Sequence, residues 1–117
     1  MNNTDLNISS QHPKKSGLPR TPISLLFLGT GSAFTTTLYN NSALLTFLTV
    51  PLRNMLIDCP ATTSRALATA GLNPSCITDI FITHCHADHV SGLEELGYRH
   101  MYLYGTKPNL HIPAHLS

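Results

Sequence analysis

Residues 81–92 read FITHCHADHVSG, and within them three histidines and one aspartate fall in the six positions 84–89. The stretch continues the apolar run CITDIFIT (76–83). Polar side chains at the end of a buried strand are costly to desolvate unless each polar atom gains a partner. The cluster therefore demands a strand before it and a bend inside it. His84 and His86 are two apart, so on a strand end they point to one side. Two imidazoles so placed can converge on one ion, at the ~2.0–2.1 Å that zinc requires. Asp88 and His89 would diverge on a continuing strand. They join the same site only where the chain turns, and Gly92 with a helix starting after Val90 is the expected turn. Metal ligation by His84, His86, Asp88 and His89 is the reading that gives every ring a partner.

The elements around the cluster follow from pattern. ISLLFLG (23–29) is a short apolar run closed by glycine and reads as a buried strand, followed by the small-residue loop GTGSAF. SALLTFLTV (42–50) and NMLIDC (54–59) read as two more strands, with a turn near Pro51. ATTSRALATAG (61–71) reads as a helix, capped at Thr62 or Thr63 and stopped by Gly71. A strand over 76–83, a helix over 90–105 and a strand over 109–114 complete the order β-β-β-α-β-α-β. That order predicts an α/β layered sheet.

Composition narrows the class. Only 11% of the 117 residues are charged, against about 25% in an ordinary soluble domain. The deficit predicts a surface that further protein covers. The net charge of +1 provides no field to draw nucleic acid or membrane. Three cysteines (Cys59, Cys76 and Cys85) fit no disulfide framework, so a reducing, cytoplasmic setting is expected. Cys59 and Cys85 read as small buried hydrophobes. Residues 1–22 read as a flexible polar tail, and 23–117 as the folded part. His100, His111 and His115 read as packing or surface histidines.

THCHADH, with LGTGSA upstream and LIDC between them, resembles the metallo-β-lactamase superfamily, and within it the ribonuclease Z branch and related phosphodiesterases. The resemblance covers about residues 23–115. It implies an αβ/βα sandwich, of which this chain holds the N-terminal half: a mixed sheet with helices on one face. It implies that His84 and His86 hold one zinc and that Asp88 and His89 hold a second, with manganese or iron as alternatives. A water between the metals would attack the substrate, and Asp88 would orient or deprotonate it. Asp58 would steady the site by holding the far nitrogen of a ligand histidine.

Two functions stand at this point. One is a metal-dependent hydrolase acting on phosphodiesters, either RNA or a small molecule, and completed by ligands that do not occur after Asp88 in this sequence. The other is a catalytically inactive fragment or interaction module holding at most one ion. Either version expects a second copy or a complementing chain over the exposed sheet face, and no membrane.

Overall fold

In the computed structural model, which describes residues 22–116, one mixed sheet organises the chain. The tail expected over 1–22 lies, Pro22 apart, outside the described residues. β1 (Ile23–Gly29), β2 (Ser42–Phe47) and β3 (Arg53–Ile57) run antiparallel in sequence order. β4 (Asp79–Phe81) then pairs parallel to β3, and β5 (Asn109–His111) parallel to β4, giving five strands ordered β1-β2-β3-β4-β5. Parallel pairing requires a crossover. α1 (Thr63–Thr69) supplies the first. α2 (Ala87–Val90), α3 (Leu93–Tyr98) and a π-helical turn (Arg99–Tyr104) supply the second.

The register explains where the core sits. Leu26, Leu44, Leu56, Ile80 and Leu110 lie opposite one another across the strands, on one face. The middle three are buried, and they pack with Ala66 and Leu67 of α1 and Leu96 of α3. The crossovers thus place both packed helices on this face. The sheet with helices on one face is the expected architecture.

The glycines of the loop after β1 permit close approach. A side chain at Gly29 would meet the carbonyl of Asn40, and Gly31 N–H donates to the Tyr39 carbonyl at 2.8 Å. This loop is a structural turn against residues 39–41.

The helix expected over 90–105 is corrected to three short pieces. Gly92 N–H donates to the Cys59 carbonyl at 2.8 Å, and a Cβ at Gly92 would meet Pro60 O. That docking fixes the break between α2 and α3. The π-helical turn ends at Gly105, whose φ of 64° is left-handed. The cap expected of Thr62 is also corrected. Its hydroxyl makes no cap bond and accepts instead from Asn40 N–H at 3.1 Å.

Candidate functional site

β3 and β4 end side by side, and the polar cluster is built where they stop. Asp58 follows β3 directly, at φ 60°. The left-handed region costs a non-glycine residue about 1 kcal/mol, and aspartate tolerates it better than most. The return is its position. Asp58 N–H donates to the Phe81 carbonyl at 2.8 Å. Its buried carboxylate accepts from Thr83 N–H at 2.8 Å and from the Thr83 hydroxyl at 2.8 Å, and lies 2.7 Å from His89 Nδ1.

The chain leaves β4, passes His84 and His86, and turns at once into α2. His86 is the N-cap of that helix, so the bend lies four residues before the position expected from Val90. Asp88 and His89 occupy the first turn of α2, and that turn carries them back toward the strand end. Cys59 N–H donates to the His89 carbonyl at 2.8 Å, and Ala61 N–H to the Ser91 hydroxyl at 3.0 Å. The turn after β3 therefore clasps the second crossover at 59, 61 and 92.

The four residues singled out by the sequence do come together. His84 Nε2 lies 3.1 Å from His86 Nδ1, and the rings of His84 and His89 are 4.0 Å apart, centre to centre. His84 Nδ1 lies 2.9 Å from the Thr83 hydroxyl. His89 Nε2 lies 3.3 Å from an Asp88 oxygen. One connected network results, from Asp58 through Thr83 to His84 and His86, and from Asp58 through His89 to Asp88. Both nitrogens of His89 face carboxylates, and the nitrogens of His84 face Thr83 and His86. Among the described residues, no group of three or more His, Cys, Asp or Glu side chains is placed so as to hold a metal ion. The arrangement can fix imidazole tautomers, hold protons between carboxylate and ring, and present a polar rim to a ligand.

Burial decides the cysteines differently from expectation. Cys59 is fully buried beneath the site, and burial pushes its thiol up to about 11. Cys85 is exposed, which corrects its reading as a buried hydrophobe: it sits where the chain leaves the sheet.

The sequence reading missed a second polar group. Asp79, at the start of β4, is buried and bonded by Arg53 Nε at 3.1 Å, His111 Nε2 at 3.0 Å and the Thr78 hydroxyl at 2.7 Å. Burial pushes its carboxyl up, and these bonds outweigh burial and hold it well below the usual carboxylate range. His111 belongs to this group. The only sequence signal was an aspartate interrupting an apolar strand.

A family model described as "Anti-Pycsar protein Apyc1" matches residues 23–117. The chain belongs to the Apyc1 family. It is 45% identical over 94 residues to an anti-Pycsar protein Apyc1 of Paenibacillus xerothermodurans, covering 80% of this chain and 36% of the relative. It is 46% identical over 87 residues to one from Bacillus phage BSP38, covering 74% of this chain and 33% of the relative. The chain thus spans about a third of the length of these Apyc1 relatives.

Solved structures place the fold. The metallo-β-lactamase fold protein YhfI of Bacillus subtilis superposes with a TM-score of 0.62 at 17% identity, covering 80% of this chain and 36% of that one. Human short-form tRNase Z superposes with a TM-score of 0.51 at 25% identity, covering 77% of this chain and 46% of that one. The α/β chain has the metallo-β-lactamase fold.

These findings correct the functional reading. The expected phosphodiester hydrolase, with its zinc and its ribonuclease Z-like assignment, gives way to membership of a family named for opposing Pycsar. The physical reason lies in the motif. H-x-H-x-D-H marks a strand end and helix start that the fold shares, so the motif by itself does not name the function.

Proposed function

We propose that the protein acts against Pycsar, as its relatives' name states, and that the rim formed by Asp58, His84, His86, Asp88 and His89 is the surface through which it does so. The observation that carries this reading is the match of residues 23–117 to the anti-Pycsar family. Relatives of that name occur both in a Paenibacillus and in a Bacillus phage. The rim supports the second half of the reading. It gathers three imidazoles and two carboxylates at one end of the sheet, and His86 is exposed there. A cytoplasmic location belongs to the same proposal. Three free cysteines support it, and among the described residues no helix is long and apolar enough to cross a membrane.

The test expresses the coding sequence of this chain, read to its stop codon, in bacteria that carry Pycsar. Plating efficiency of a phage that Pycsar restricts is then measured. The reading expects restriction to be relieved, and a His86→Ala, His89→Ala double variant to relieve it at least tenfold less. Restriction unchanged by the wild-type protein would overturn the role, and a double variant as effective as wild type would overturn the site.

A further inference from the structure

The loop GTGSAF after β1 has no side chain in the polar rim, yet the sheet delivers it to the same end of the molecule. β1 and β3 each run antiparallel to β2, and β4 runs parallel to β3, so all three of β1, β3 and β4 finish at one edge. With neighbouring strands ~4.8 Å apart, the end of β1 lies about 10 Å from the end of β3, where Asp58 begins the rim. A small ligand of two linked groups spans that distance.

The loop is held rigidly. Thr35 N–H donates to the Ser32 carbonyl at 3.2 Å, Leu38 N–H to the Thr35 hydroxyl at 3.1 Å, and Asn41 N–H to the Gly31 carbonyl at 2.9 Å. Asn40 ties it down, with its side-chain amide donating to the Ser32 carbonyl at 3.0 Å and its backbone N–H to the Thr62 hydroxyl at 3.1 Å. Thr62 lies in the turn after β3, the turn that clasps the second crossover beneath the rim. Loop and rim therefore share one hydrogen-bonded frame.

On that frame the turn at 32–35 holds Phe34 94% exposed, the most exposed aromatic side chain among the described residues. Neither a charged residue nor a histidine occurs between Arg20 and Arg53. The loop thus offers a ligand a phenyl ring, hydroxyls and backbone, whereas the rim offers imidazoles and a carboxylate. A phenyl ring favours flat unsaturated partners by stacking or edge contact. The two surfaces suit the two ends of one molecule, polar at the rim and flat and uncharged at the loop.

We propose that Phe34 determines specificity at the rim, by contact with a flat, uncharged, unsaturated ring of the small molecule whose polar part the rim engages. The inference rests on the anti-Pycsar role assigned to that rim. The phage restriction assay described above tests it, with variants made in the same coding sequence. Phe34→Ala and Phe34→Leu are each expected to relieve restriction about tenfold less than wild type, through loss of the ring contact. Phe34→Tyr and Phe34→Trp are expected to relieve it as wild type does, because each keeps a flat ring. Val50→Ala, at the equally exposed tip between β2 and β3 at the other end of the sheet, is expected to change nothing. Phe34→Ala is expected to melt with wild type, since so exposed a side chain holds little of the fold. Restriction unchanged by wild type would overturn the anti-Pycsar role and this inference with it. Relief by wild type that Phe34→Ala or Phe34→Leu matches would overturn this inference alone. So would loss in Phe34→Tyr and Phe34→Trp, or a lowered melting temperature in Phe34→Ala, since the side chain would then act through the loop's structure.

Discussion

Asp58 shows how much one residue can organise. It ends β3 in a left-handed conformation, and its carboxylate gathers Thr83 and His89 from the next strand end and helix. Asp58→Ala leaves the part-buried Thr83 N–H and a His89 ring nitrogen without their acceptor. It is expected to cost about 3 kcal/mol in urea unfolding. Asp58→Asn keeps an acceptor and tolerates the same φ, so it is expected to cost less. The cysteines differ by burial in a way that reagents can read. Cys85 is expected to react first with a maleimide in the native protein and Cys76 more slowly. Cys59, with its thiol raised to about 11 by burial, is expected to react only on unfolding. Mass spectrometry of timed samples checks the order.

At the scale of elements, the helices are too short to stand alone and depend on docking. α1 has seven residues and α3 six, and each is held by one or two buried leucines or alanines. The α2–α3 break is fixed by contact with the turn after β3. Gly92→Ala drives a methyl group into Pro60 O and is expected to cost about 2 kcal/mol. The melting temperature of the variant, compared with Gly97→Ala, checks this. Gly97 has nothing within reach of a Cβ and lies inside α3, so its substitution is expected to be neutral or stabilising.

For the whole molecule, two buried groups set the response to acid. Burial lowers the pKa of His100, against the opposing pull of the Pro74 carbonyl, and bonds hold the Asp79 carboxyl low. Both groups bind protons more readily in the unfolded chain, so each makes stability rise with pH. The His100 contribution is lost as pH falls below its ordinary value of 6.5. The Asp79 contribution is present above 3.8 and lost as pH falls through its lower folded value. Urea midpoints at pH 7.5, 5.5 and 3 are expected to fall in two steps. His100→Phe is expected to flatten the upper step and Asp79→Asn the lower. The same scale exposes the open sheet face, where an apolar surface meets a chain with few charges.

The sequence by itself determined what local spacing can encode. β1 occupies the expected 23–29, because an apolar run closed by a glycine leaves little choice, but its expected burial is corrected: Leu28 alone is buried in it. His84, His86, Asp88 and His89 were legible because they lie within six residues, and a strand end with a turn must bring them near each other. Asp58 was marked only by the resemblance of LIDC to the metallo-β-lactamase superfamily. Tertiary structure decided everything that depends on register across long separations. Arg53, Asp79 and His111 meet only because β3, β4 and β5 pair in parallel, and no local pattern records that. It also decided which atoms the histidines face, since ring orientation follows from where α2 docks. The choice of family came from the sequence over residues 23–117 as a whole and not from the motif, which specifies the strand-to-helix geometry that the fold shares.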